Sequence, residues 1–364
     1  MAGARTIGTL ELPEACAHLV TRIDAELGRF VAEQRAEVSA QGPGVEGLFV
    51  ELERVFEAGG KRLRPVFCCL GLRAAGGEVD GRCIRAAAAL ELLHTFAIVH
   101  DDVMDRSPSR RGVAASWVHL GEVHRRSGWI GEPSAYGLAA AILAGDMALV
   151  LADRALRRSG FGPDRLLPAL KRYDRMRVEV VAGQFLDVLG AHRGGTTEAE
   201  ARRIAVLKSG GYTVEAPVQI GAILGGAGEP LLAALSRYGV ALGEAFQLRD
   251  DVLGVFGDPA VTGKDRESDL REGKRTVLLA KAVAAAAGQD RRLLEDRIGR
   301  PDVTSQELDR ARDLLESTGA LDATLALIDD LVARAGDALD PRIVPPDVGS
   351  VLSEMASVVA VRRL

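Results

Sequence analysis

The sequence predicts an all-α protein, on three observations. Ala, Leu, Val, Arg and Glu dominate the 364 residues while aromatics make up 4%, and alternating β-branched runs are hard to find. Apolar residues recur at helical spacing in most segments. Gly and Pro punctuate those segments at short intervals. Length alone leaves two domains and one large helical core both open.

Residues 46–58 read as a helix stopped by Gly59 and Gly60, and Pro65 suits the first position of a helix over 65–75. Between them sits "KRLR". From 85 to 105 the run "RAAAALELLHTFAIVHDDVMD" is apolar nearly all round, the pattern of a helix at the centre of a bundle. Ser107 and Pro108 end it. Further helices are expected over 134–158, 163–189, 198–207, 209–224, 230–256, 276–287, 305–319, 320–339 and 346–364. The connections are short, with no low-complexity linker and no solenoid period. The exception is 257–275, "GDPAVTGKDRESDLREGKR", whose length, glycines and charge mark a mobile lid.

The formal net charge of −5 argues against a nucleic-acid binder, which needs a basic excess. Cys16, Cys68, Cys69 and Cys83 lack metal spacing, and adjacent Cys68 and Cys69 cannot pair without strain. They read as buried thiols in a reducing cytosol. The N-terminus has no basic start followed by an apolar stretch, and windows such as "GLAAAILAG" fall short of the ~20 residues a span needs. A cytoplasmic chain with no membrane span is expected.

Chemistry is concentrated in "HDDVMDRSPSRRG" and "FQLRDDVLG". On a helix, Asp101 and Asp105 lie four apart on one face and can hold a cation between them, with Asp102 contributing from the side. Three carboxylates in the last turn oppose the macrodipole, and divalent cations reverse that cost. An all-oxygen site with few protein ligands suits Mg²⁺ completed by substrate phosphates. Asp250 and Asp251 repeat the logic, but Gly254 stands where a third aspartate would be.

Cations accompany both motifs. Lys61, Arg62 and Arg64 open a helix, where free N–H groups already attract phosphate. Arg110 and Arg111 follow the first aspartates; Lys264 and Lys274 follow the second. Such a set fits polyanions bound partly through metal and partly directly. His94 lies two turns before Asp101 on the same face, and spacing leaves it open between an anion ligand and a core histidine. Phe246, Gln247, Lys208 and Ser209 are equally open.

Taken in order, "GGKRLRP", "HDDVMD…RRG", "GQFLD", "KSGG", "FQLRDDVLGVFGD" and "SDLREGKRT" resemble the trans-prenyl diphosphate synthases, the farnesyl/geranylgeranyl diphosphate synthase family. The resemblance spans 59–276 through its motifs. It implies one domain over 1–364, a single helical bundle around a deep apolar cavity, assembled as a homodimer. It further implies that Asp101, Asp105 and Asp250 ligate Mg²⁺, in a cluster of three ions that Mn²⁺ can replace, with Asp102 and Asp251 in support. By the same carry-over Arg110, Lys208, Lys264 and Lys274 clamp the allylic diphosphate, and Lys61, Arg64, His94 and Arg111 hold isopentenyl diphosphate. Gln247 and Ser209 face the reacting carbons, Ser209 standing where many relatives carry threonine.

Phe96 and Ala97 lie five and four residues before Asp101, about one turn deeper at ~5.4 Å per turn. Within the family, bulk at the deeper position alone resembles geranylgeranyl-forming enzymes, so a C20 product is expected. A class I terpene cyclase needs no second diphosphate site, and a non-catalytic partner subunit needs no metal ligands; "GGKRLRP" and the retained aspartates weigh against both. The cations of "VRRL", Arg362 and Arg363, read as an ordinary helix end.

Overall fold

The computed structural model of the chain describes residues 12–39, 42, 44–258 and 267–360. Those residues are almost entirely helical, with one two-residue hairpin pairing Ser109–Arg110 with Val113–Ala114. The elements that position the site are α1 (Glu14–Ser39), α2 (Glu46–Glu57), α3 (Leu63–Ala74), α4 (Gly81–Met104), α5 (Ser116–Arg126) and α6 (Pro133–Arg157). They continue with α7 (Pro163–Arg193), α8 (Glu198–Ala205), α9 (Ala216–Gly225) and α10 (Glu229–Phe256). Shorter helices cover Ser268–Arg271, Val277–Ala285 and Gly288–Arg292, and longer ones Ser305–Ser317, Ala320–Asp337 and Pro346–Ala360. The buried core runs from Cys16 to Ala356.

Local chemistry accounts for the boundaries. Asp80 caps α4 by accepting from the N–H groups of Arg82 and Cys83, so the helix starts before the expected residue 85. Thr197 and Glu200 close a capping box on α8, and Thr304 with Glu307 does the same at Ser305–Ser317. Pro133 and Pro163 stand in the first turns of α6 and α7. Of the helices not anticipated, two are longer than five residues, α1 and α5. In α1, buried Cys16, Leu19, Ile23, Leu27 and Phe30 recur every three or four residues, so its signal was present in the sequence. In α5 the buried positions Ser116, Leu120, Gly121 and His124 also keep helical spacing, but only one of them is a large apolar residue and the helix is short.

A larger departure lies at the expected break near residue 208. There the chain does not break: Val206–Glu215 forms a π-helical segment that joins α8 to α9. Such a widening exposes backbone and re-aims side chains, often at functional sites. Glycines let it seat. A Cβ on Gly183 of α7 would lie 2.4 Å from the Lys208 nitrogen, and one on Gly243 of α10 would lie 2.3 Å from the Gly210 oxygen. The segment is wedged between α7 and α10, with Lys208 and Ser209 carried on it.

The expected shortness of the apolar windows is corrected. Gly81–Met104 and Pro133–Arg157 are both long and apolar enough to cross a membrane by length and composition. Of the apolar windows, 67% of that in Gly81–Met104 and 39% of that in Pro133–Arg157 is buried inside the protein, and these two helices pack on one another. The apolar character of α4 therefore has a use in the bundle. All four cysteines are free and buried, with the Cys69 and Cys83 sulfurs in contact at 3.9 Å.

Candidate active site

A cavity of about 730 Å³ opens between α4, α7, the π segment and α10. Its lining is polar at Arg64, Asp101, Lys208 and Asp250 and apolar at Phe96, Ala97, Val181 and Phe185. The two aspartate motifs approach it from α4 and α10, as the helical readings require.

Around Asp101 the polar groups are densely connected. Its carboxylate meets Lys208 Nζ at 3.3 Å and Arg110 Nη2 at 3.3 Å, and accepts from Gln184 Nε2 at 3.1 Å. Lys208 also pairs with Asp187 at 2.5 Å, on the same face of α7 as Gln184. Burial alone would raise the Asp101 carboxyl, but Lys208, Arg110 and Lys274 hold it at about 2. It stays ionised.

Asp102 has a different task. It is buried, absent from the described cavity wall, and accepts from Arg110 Nε at 2.7 Å. Asp102 thus orients Arg110, which reaches past it to Asp101. Asp105 stands 3.8 Å from Lys274 Nζ, and burial followed by the Asp101 charge pushes it up to about 6. Lys274 in turn meets Asp269 at 3.0 Å and Glu272 at 2.8 Å.

Across the cavity, Gln247 donates to Asp251 at 2.7 Å. Burial raises Asp251 to about 7, the hydrogen bond from Gln247 opposing and the charges of Asp269, Asp250 and Asp187 adding. Asp250 and Ser209 line the wall. The position that Gly254 leaves empty is filled from elsewhere in the chain: Asp269 places its carboxylate there.

One part of the cavity lining is cationic. Arg64 donates to Thr213 Oγ1 at 2.7 Å and lies over the Tyr212 ring at 4.0 Å, while its Nε is buried with no partner. His94 Nδ1 meets the Tyr212 hydroxyl at 3.0 Å, and Arg111 Nη2 approaches His94 Nε2 at 3.5 Å. Burial first, then the charges of Arg64, Arg111 and Arg110, drive His94 well below its usual range. A half-buried neutral histidine among arginines marks a positive field suited to an anion. Arg62 turns the other way: in a left-handed conformation (φ 49°), it pairs with Glu91 and Asp24 at 2.7 Å each and ties α3 to α4 and α1.

Of the expected site residues, Asp101, Arg64, His94, Arg110, Arg111, Lys208, Ser209, Gln247, Asp250, Asp251, Lys274, Phe96 and Ala97 all line the one cavity. Asp102 and Asp105 adjoin it through Arg110 and Lys274. Lys61 is exposed and not on the described wall. Lys264, Arg362 and Arg363, with much of the expected lid, lie outside the described residues. Residues that sequence reasoning passed over are Gln184, Asp187, Tyr212, Thr213 and Asp269. The first two and Asp269 sit inside quoted motifs; Tyr212 and Thr213 had no spacing signal.

Among the described residues no three His, Cys, Asp or Glu side chains form a ready metal cage. The donors are nevertheless all oxygen, four apart on a helix, and paired with lysines that can exchange partners. That fits a hard divalent ion whose remaining ligands come from a bound anion.

Residues 48–315 match the family model described as polyprenyl synthetase. A geranylfarnesyl diphosphate synthase from Aeropyrum pernix is 37% identical over 78% of this chain and 84% of its own length. A geranylgeranyl diphosphate synthase from Methanosarcina mazei is 34% identical over 81% and 84%. Among solved structures, the geranylgeranyl pyrophosphate synthase from Corynebacterium glutamicum, complexed with isoprenyl diphosphate and magnesium, superposes with a TM-score of 0.91 at 33% identity, covering 95% of this chain and 99% of that one. A polyprenyl synthase from Caulobacter crescentus with calcium and isoprenyl diphosphate gives 0.80 at 30% identity, over 99% of both chains. Motif order, helical architecture and a cavity that gathers both aspartate motifs agree with those likenesses, and the chain belongs to the polyprenyl synthetase family of trans-prenyltransferases.

Proposed function

We propose that this chain acts as one unit that condenses isopentenyl diphosphate with an allylic diphosphate to give geranylgeranyl diphosphate. The observation that carries the reading is one cavity whose lining joins both aspartate motifs, a cationic group at Arg64, His94 and Arg111, and apolar residues such as Phe96 and Ala97. One anion then binds at Asp101 and Asp250, the other at Arg64, His94 and Arg111.

Asp101, Asp105 and Asp250 are the residues to hold Mg²⁺, with Asp251 in support and Lys208, Arg110 and Lys274 exchanging carboxylate for phosphate. The ion supplies Lewis-acid neutralisation of charge on the departing pyrophosphate. Arg110 and Lys208 add positive charge at that same oxygen, where it grows as the allylic C1–O bond breaks and its electron pair leaves with pyrophosphate. The apolar wall excludes water from the allylic cation. Arg64 and Arg111 fix isopentenyl diphosphate so that its C4 meets C1 of the cation. The C2 proton then leaves to the released pyrophosphate, restoring an allylic double bond.

Phe96 as the chamber's floor supports a C20 product; the likeness to a geranylfarnesyl diphosphate synthase favours C25 as the second reading. Ile142, Leu143 and Val150 on α6 and Val178 on α7 are exposed large apolar residues, which supports assembly as a homodimer. Incubating purified chain with labelled isopentenyl diphosphate, each allylic primer and Mg²⁺, then sizing the products, tests the proposal. No incorporation, or none that depends on a divalent ion, would overturn it.

A further inference from the structure

His100 has no part in the reaction as described, yet it lines the cavity. One edge of its ring meets Phe96, one turn earlier on α4, with centroids 4.8 Å apart and planes at 64°. The other edge faces α6. There Nε2 lies 3.0 Å from the Ile142 carbonyl oxygen and 3.6 Å from the Asp146 carboxylate. Both partners accept, so the ring carries its proton on Nε2.

Gly145 allows this seat. A Cβ at residue 145 would lie 2.3 Å from both Cδ2 and Nε2 of His100. Any other residue at 145 therefore evicts the ring from α6. The ring's free side is the cavity and Phe96, so eviction moves it there.

We propose that His100, seated in the notch at Gly145, is a specificity-determining residue that fixes the Phe96 ring and thereby the length at which elongation stops. This rests on the chain-elongating reading above. Phe96 is only partly buried, and a phenylalanine on a helix has more than one open rotamer. Edge-to-face contact with a ring itself bonded to α6 selects one of them. The floor is then a stack from α6 through His100 to Phe96, and its height is set by the notch.

Three variants test this by product sizing with a common primer. In Gly145→Ala the displaced ring takes chamber space, and the main product is expected to shorten by one isoprene unit. In His100→Ala, Phe96 loses its support and a ring's volume opens, and the main product is expected to lengthen by one unit. With both changes together the distribution should match His100→Ala alone, since the clash at 145 needs the ring. If Gly145→Ala does not fold, His100→Ala decides by itself. Wild-type protein that elongates while His100→Ala gives the same distribution would overturn the inference alone. Wild-type protein that does not elongate would overturn the functional reading with it.

Discussion

A side-chain carbon at residue 254 would lie 1.9 Å from Oδ2 of Asp269. The glycine in "DDVLG" is thus the room needed by a carboxylate arriving from "SDLREG". Asp269 is buried and holds Lys274 at 3.0 Å, so the acidic set on α10 is completed through space.

Gly254→Ala should therefore cost about 1–3 kcal/mol by overpacking and displace Lys274 as well. Urea unfolding measures the first, and turnover, expected to fall roughly tenfold, the second. Adding Gly254→Asp to Asp269→Gly should recover part of the loss of Asp269→Gly alone, since the carboxylate returns to the same space. An unfolding midpoint for Gly254→Ala equal to wild type would contradict the clash.

That pair also marks where reading the sequence succeeds and stops. Helices α4 and α10 with their aspartates were legible because periodicity and i,i+4 spacing are local. Asp269 filling the gap at Gly254 joins residues fifteen apart, and Tyr212 under Arg64 joins α3 to the π segment; neither has a local signature. The same limit explains the break expected near Lys208. Nothing local to residues 207–209 shows that the helix continues through them, whereas in the fold Gly210 packs against Gly243 and brings two backbones together.

Stability of the metal-free protein should fall as pH rises through the neutral range. Asp105 at about 6 and Asp251 at about 7 keep protons in the folded state that an unfolded aspartate, near 3.9, has released. Their contribution is complete below about pH 4 and lost as pH passes about 6 to 7. Asp101, held at about 2, acts oppositely, its contribution disappearing only as pH falls toward that value. Thermal midpoints in EDTA between pH 5 and 8 should decline more steeply for wild type than for Asp251→Asn. Mg²⁺ with pyrophosphate should reverse the trend, because it favours the ionised carboxylates. Parallel profiles for the two proteins in EDTA would count against the protonated Asp251.

Arg64 should separate the two substrates. Its unpartnered buried Nε and the neutral His94 beside it suit one bound anion. A charge-assisted hydrogen bond contributes about 1.5–3 kcal/mol, so Arg64→Met should raise KM for isopentenyl diphosphate roughly tenfold to a hundredfold. KM for the allylic primer should change far less, since the proposed function gives that diphosphate to Lys208 and Arg110. Equal increases in both would mean that the two diphosphates do not divide between these residues. In the same complex the His94 imidazole should titrate higher than in the free protein, as the bound anion offsets Arg64 and Arg111; its NMR shift against pH reads this directly.

Phe96 governs the last prediction. Its ring and Ala97 line the chamber about one helical turn below Asp101, and a turn is ~5.4 Å, close to the depth one isoprene unit requires. Phe96→Ala removes most of a ring while leaving the aspartates and Lys208 in place, so initiation should persist and termination should move. The main product is expected to lengthen by at least one unit, with isopentenyl diphosphate consumed per enzyme rising accordingly. Burial of the residue also predicts a stability loss at the lower end of the ~3–5 kcal/mol for such truncations, because Phe96 is only half enclosed. Chromatographic sizing after exhaustive reaction distinguishes the two effects: a merely weakened fold lowers yield at constant length, whereas a removed floor shifts length at any yield.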